Sequence, residues 1–156
     1  GQPRGVVQDA EVGATAAAVN AVTGDELIEL YHGLRPPYRA RATWLMHDNT
    51  AKVIRKLKDT QGQYLWQPGL VQDRPDTLLG RPVVTSPFMP QIGANAKSIL
   101  FGDFSYYRIQ QRAGISIQRL VELFARQGQV GFRATMRVDG RLLLTEAVKA
   151  LQHPAA

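Results

Sequence analysis

Apolar positions in this chain fall into short clusters cut by Pro and Gly, and their spacing switches repeatedly between helical and alternating. The segment from Leu78 to Arg112 is the one around which the rest is expected to be arranged. Leu78-Leu79-Gly80-Arg81-Pro82 leads into Val83-Val84, a short buried strand. It must stop at Ser86-Pro87-Phe88-Met89-Pro90, because proline has no N–H to give to a ladder. Ser98 to Phe101 predicts a second buried strand. Gly102-Asp103-Phe104 then predicts a corner in which Asp103 accepts backbone N–H groups, and Tyr106 to Arg112 a third strand completing the centre of the sheet.

Upstream, Ala14 to Val22 has no clear period and reads as a connector or a strand. Thr23-Gly24-Asp25-Glu26 matches a capping box. The helix it opens carries Leu27, Leu30, Tyr31 and Leu34 on one face, and Pro36-Pro37 ends it near Gly33 to Arg35. Ala42 to Met46, with Trp44, predicts a buried strand. Asp48 or Asn49 is expected to cap a second helix, Thr50 to Lys58, that turns Ala51, Ile54 and Leu57 inward. Asp59-Thr60-Gln61-Gly62 reads as a turn, and Tyr64-Leu65-Trp66 as a short aromatic strand or arm closed by Pro68-Gly69.

Downstream, Ile115 to Arg119 alternates as a half-buried strand does, and Leu120 to Gln127 predicts a helical or irregular bridge. Gln129 to Val138 is strand-like. Asp139-Gly140 signals a hairpin turn, Leu142 to Leu144 returns from it, and Thr145 to Leu151 predicts a short helix or an extended tail. Trp44, Leu100, Phe101 and Phe132 are expected in the core.

Composition narrows the class. With 156 residues, the chain has room for one domain with one core. Its 44% hydrophobic and 21% charged residues rule out wholesale disorder. No apolar run approaches the ~20 residues of a membrane span and no signal-peptide layout is present, so an intracellular protein with no membrane partner is expected. The absence of cysteine removes disulfides, thiol nucleophiles and thiolate metal sites. A net charge of +6 favours polyanions. Because the basic residues are spread along the chain, solubility with self-association is the plainer explanation.

Little chemistry follows. Gly128-x-x-Gly131 leads toward a strand and lacks the Lys-Ser/Thr of a phosphate loop. His32, His47 and His153 are far apart and read as surface or packing residues, so no metal and no cofactor are expected. No nucleophile elbow or paired carboxylates stand out, so an enzyme is disfavoured. Lys52, Arg55 and Lys56 share a helix face and, with Arg35, Arg39 and Arg41, are candidate phosphate contacts. A solvated helix face is the plainer reading.

The order of motifs carries more. Gly1-x-Pro3-x-Gly5, Ala42 to Met46 running into His47-Asp48-Asn49-Thr50, Leu79-Gly80-Arg81-Pro82-Val83 with Met89-Pro90, Gly102-Asp103-Phe104, and Phe132-Arg133-Ala134-Thr135-Met136-Arg137-Val138-Asp139-Gly140 follow one another over almost the whole chain. In this order they resemble the C-terminal portion of the tailed-phage major capsid proteins, the Hong Kong 97-type family. The resemblance implies an α+β fold: a remnant of the peripheral-domain connection at 1–12, an axial domain with a mixed central sheet at 13–123, and returning peripheral-domain strands at 124–156. It also implies that this chain lacks the family's N-terminal arm, extended loop and spine helix. The Lys–Asn crosslink of some members is not expected, since Gln129 to Arg137 holds neither Asn nor Glu.

The implied function is structural. Copies would assemble into pentamers and hexamers of an icosahedral head, located in the virion and put together in the host cytoplasm. Partners would be other capsid subunits and, non-specifically, packaged DNA. Two alternatives stay open: a stand-alone basic nucleic-acid-binding module and an encapsulin-like compartment. Interface candidates are Arg35, Arg39 and Arg41 in a Pro-stiffened turn, and Gln91, Asn95 and Lys97 in a Gly/Asn/Ala-rich loop.

Overall fold

Ser98-Ile99-Leu100-Phe101 has no polar alternation, as expected of a strand covered on both faces, and a computed structural model places it at the centre of a six-stranded sheet. The structure describes residues 3–58, 61–64, 66 and 76–155. The strands are β1 (Glu11–Thr15), β2 (Thr43–Met46), β3 (Thr77–Leu78), β4 (Arg81–Thr85), β5 (Lys97–Gly102), β6 (Tyr107–Leu120), β7 (Gly131–Leu142) and β8 (Val148–Gln152). The sheet runs β1-β8-β5-β2-β4-β3, while β6 and β7 form a separate two-stranded ribbon. Four helices accompany them: α1 (Val6–Asp9), α2 (Gly24–Gly33), α3 (Pro36–Arg39) and α4 (Asp48–Arg55).

The alternation of β5 sorts the core into two layers. Ile99 and Phe101 face α2 and α4 together with Trp44, Met46, Leu27, Leu30 and Ile54. Leu100 faces the other way, against Ala10, Val148, Ala150 and Leu142. Trp44 stacks on Phe101 with ring centroids 4.2 Å apart, and Tyr31 adds a second stack at 5.3 Å. The Trp44 indole N–H donates to the Leu78 carbonyl at 2.9 Å, fastening β3 to this layer. The expected core residues Trp44, Leu100 and Phe101 are fully buried.

The capping box is formed as expected. Thr23 accepts from Glu26 N–H, while Glu26 accepts from the N–H groups of Thr23 and Ala17. The Pro pair ends α2 and then starts α3 at its first positions, where a missing N–H costs nothing. Asp103 Oδ1 accepts from Ser105 N–H at 2.9 Å, the corner read from sequence. β1 replaces only the start of the ambiguous 14–22 segment. The proposed turn at Asp59-Thr60, Leu65 and the closing Pro68-Gly69 lie outside the described residues, as does Gly1.

Several expectations are corrected. The second helix runs Asp48–Arg55 and is capped by neither Asp48 nor Asn49: His47 is the cap, its Nδ1 accepting from Asn49 N–H at 3.0 Å. β4 is not a buried strand, since Val84 is exposed near the sheet's edge. Tyr106 to Arg112 is not the third central strand, because β6 leaves the sheet after the corner to pair with β7 alone. That central place belongs to β8, wedged parallel to β1 and antiparallel to β5; of the short helix or tail expected over 145–151, a 3-10 turn forms at Thr145–Ala147 and the rest is strand. Asp139-Gly140 makes no turn: both lie inside β7, opposite Gln110 and Ile109. The glycine serves close packing, since a Cβ at Gly140 would stand 2.5 Å from the Tyr107 hydroxyl. Phe132 is 71% exposed on the ribbon and belongs to no core.

β5 and β8 approach most closely at Gly102, where a Cβ would lie 2.3 Å from the Ala147 carbonyl oxygen and 2.6 Å from Val148 Cα. Backbone atoms cannot swing aside. Gly102→Ala is therefore expected to lower unfolding free energy by about 2–3 kcal/mol in urea denaturation. Gly93→Ala, with nothing within 4 Å of its Cβ, should stay within about 0.5 kcal/mol.

Candidate assembly surface

The two ends of the sheet carry different groups. At the end where β5 finishes, Arg35 pairs with Glu146 at 3.0 Å and the Tyr38 hydroxyl donates to the same carboxylate at 2.7 Å. That hydrogen bond raises the Tyr38 phenol above its ordinary range. Arg39 donates to the Leu34 and His32 carbonyls at 2.6 and 3.1 Å, closing the end of α2 rather than reaching outward. Arg41 sits 3.9 Å from Asp103. At the opposite end, Asn49 Nδ2 donates to Gln91 Oε1 at 3.2 Å, and Asn95 holds a positive φ of 55° while its N–H donates to the Pro154 carbonyl. Lys97 Nζ donates to the Ala10 carbonyl at 2.7 Å. The six interface candidates are thus two groups, one at each end, with Arg39 and Lys97 engaged within the chain.

Of the candidate phosphate contacts, Arg55 is ion-paired with Asp76 and lies over the Trp66 ring at 5.0 Å. Lys52 and Lys56 are exposed on α4. At the far edge, Glu11 is held below the usual carboxylate range by hydrogen bonds from Lys149 and Thr145. Ser98 and His153 form a buried pair, 2.7 Å from Oγ to Nε2, with His153 Nδ1 3.1 Å from the Ala18 carbonyl. A carbonyl only accepts, so Nδ1 donates to Ala18 while Nε2 and the Ser98 hydroxyl share the other hydrogen bond. With both residues almost fully buried, the pair ties β5, the 16–22 loop and the residues after β8 together.

The ribbon is the feature sequence reasoning missed. Register and strand alternation divide it into two faces. One bears Tyr107, Ile109, Ile117, Leu142, Val138, Met136, Ala134 and Phe132, interrupted by Gln111 opposite Val138 and Arg119 opposite Phe132. Its root is covered: Leu142 is buried against α1, and the Tyr107 hydroxyl donates to the Arg4 carbonyl at 2.8 Å. Beyond the root, Ile109, Ile117, Phe132 and Met136 are 71%, 68%, 71% and 53% exposed. The opposite face bears Arg108, Arg112, Arg133, Arg137 and Arg141. Residues 107–142 hold seven arginines against Glu122 and Asp139, leaving +5 of the chain's +6 in this one element. The charge is therefore concentrated, not spread. Arginines spaced by four in two alternating runs were the available signal, and the turn assigned to Asp139-Gly140 hid it by cutting the second run.

An exposed apolar face on a two-stranded ribbon is unstable in water by itself, so this face calls for packing that the described residues do not supply. Comparison with known proteins gives the family. The fold matches the capsid of an empty GTA particle with a TM-score of 0.81 and 31% identity, over 98% of this chain and 57% of that one. The capsid of a native GTA particle matches at TM-score 0.81 and 32% identity, over 98% and 56%. Gordonia phage Cozz shares the fold at TM-score 0.68 and 12% identity, over 100% and 53%. The chain thus spans little more than half the length of these relatives. No curated protein sequence matches it. The model of the phage capsid family matches residues 1–153, and the chain belongs to that family. Its fold is the Hong Kong 97-type capsid fold and its role is that of a structural protein of a capsid.

Arg112 stands directly opposite Arg137, and Arg108 opposite Arg141. Like charges so placed oppose strand pairing by roughly 0.2–1 kcal/mol. Arg137→Thr is expected to raise the urea midpoint of the chain; a lowered midpoint would show that these guanidinium groups are compensated.

Proposed function

We propose that this chain comprises the axial domain and part of the peripheral domain of a major capsid protein whose copies form the pentamers and hexamers of an icosahedral head enclosing double-stranded DNA, assembled in the host cytoplasm. The observation that carries the reading is the apolar ribbon face, covered by α1 at its root and bare beyond it. Full burial of a large aliphatic or aromatic side chain is worth about 1.5–3 kcal/mol, so four such residues supply a strong drive toward other subunits. Small equivalent contacts repeated around a symmetry axis then sum to a stable shell.

In this reading the bounds expected from sequence, 13–123 and 124–156, shift: the axial domain is the six-stranded sheet with its helices, including β8, and the peripheral portion is the ribbon of β6 and β7. The Gln91 and Asn95 loop lies at the sheet end remote from the ribbon, where contacts around a capsomer axis would form. Arg35 and Arg41 lie at the ribbon's root. No step of this function calls on a cofactor or a reacting group.

Light scattering and negative-stain microscopy of the purified chain test the proposal, with ring- or shell-sized particles expected. Phe132→Asp and Ile117→Asp should each lower the particle mass while leaving the thermal midpoint within a few degrees, because both side chains are exposed in the single chain. Monomers at every concentration, together with salt-sensitive DNA binding, would overturn it in favour of a stand-alone nucleic-acid module.

A further inference from the structure

We propose that the arginine face of the β6–β7 ribbon binds the phosphates of double-stranded nucleic acid without reading sequence; this rests on the reading that the shell encloses DNA. Five guanidinium groups share the face, and among the described residues none of them joins an ion pair. Two cross-strand pairs set arginine directly against arginine. In the lone chain this arrangement is repulsive. A polyanion laid along the ribbon converts each repulsion into two attractions.

The residue type supports phosphate specifically. The tract from 107 to 142 holds seven arginines and none of the chain's five lysines. A guanidinium fork matches two phosphate oxygens at once, whereas an ammonium acts as a point charge. Between the arginines the same face carries Gln110, Ser116, Gln118 and Thr135, neutral groups able to donate to phosphate oxygens. The irregular register between Arg112 and Ser116 opens a concavity of about 560 Å³ lined by Arg112, Ser116, Arg133, Thr135 and Arg137.

Spacing fits as well. Arg133, Arg137 and Arg141 stand four residues apart, about 14 Å at ~3.4 Å per residue. Duplex DNA offers one negative charge per ~1.7 Å of axis, both strands counted, so a helix laid along the ribbon brings several phosphates within reach of this row of arginines.

A second copy of the chain is the poorer counterpart. Asp9, Glu11, Asp76, Asp103 and Glu146 are already ion-paired, and Glu26 is spent on backbone N–H groups. Asp139 lies on the arginine face itself, opposite Gln110. Among the described residues Asp48 and Glu122 stand apart from other acidic groups, and Asp25 and Glu29, one turn apart on α2, come nearest to an acidic patch, two charges against five.

Fluorescence anisotropy with a labelled random-sequence 30-base-pair duplex, titrated with salt, tests the proposal on the whole chain. For R112Q/R133Q/R137Q the slope of log affinity against log salt should fall in magnitude by about 2.7, at ~0.9 for each phosphate that is no longer neutralised. R112K/R133K/R137K should keep the slope, which separates loss of charge from misfolding, and K52Q/K56Q should not change it. An unchanged slope in the glutamine variant, or no duplex binding at about 50 mM salt, overturns the proposal. Particle formation is recorded on the same samples. Particles without DNA binding overturn this surface and leave the shell reading standing. Arginine-dependent binding by a chain that never forms particles overturns the shell reading alone. If the glutamine variant loses particles but not DNA binding, the face meets acidic protein and the proposal fails.

Discussion

The pairing of β5 with β8 is the constraint on which the rest of the structure depends. β5 is buried on both faces, so its edge hydrogen bonds have no water to fall back on and must be met by neighbouring strands. β2 meets one edge and β8 the other. Gly102 makes the second pairing possible, because only a residue without a side chain lets the Ala147 carbonyl approach so closely. Once β8 is seated, its far edge takes up β1 in parallel, and the buried Ser98–His153 pair fixes the loop beyond β1. The Gly102 corner then sends the chain out of the sheet into the ribbon, so the geometry of one strand pair sets the direction of the exposed faces.

Local chemistry made parts of the molecule legible. The Thr23–Glu26 box, the proline stop, the Trp44 strand and the Asp103 corner are each decided by residues within a few positions of one another, and each appears where the sequence places it. The failures are non-local. Thr145–Ala147 forms a short 3-10 turn, but Val148-Lys149-Ala150-Leu151, which includes helix formers, takes a strand form imposed by partners far away in sequence. Asp139-Gly140 has the composition of a tight turn, yet its glycine answers the Tyr107 ring across the ribbon. Phe132 carries no local mark to distinguish a core aromatic from an exposed one.

The same limit applied to the surface. Net charge alone suggested scatter, because the arginines of β6 and β7 are separated in sequence by the 121–130 connection and become one face only through antiparallel pairing. The amphipathic character of the ribbon is a property of its register. A slip by one residue would move each side chain of a strand to the opposite face and mix the apolar residues with the arginines. The two faces therefore stand or fall together, and whichever neighbour covers one orients the other.

The place of β8 has a consequence for synthesis. It is the last strand of the sheet in chain order and yet lies inside it, between β1 and β5. At about 5–20 residues per second, a ribosome needs seconds to travel from Gly102 to Val148. During that interval β1 has no partner and one edge of β5 stays open. Closure of the sheet therefore acts as a clock: a nascent chain cannot complete its central sheet until the whole ribbon has been made.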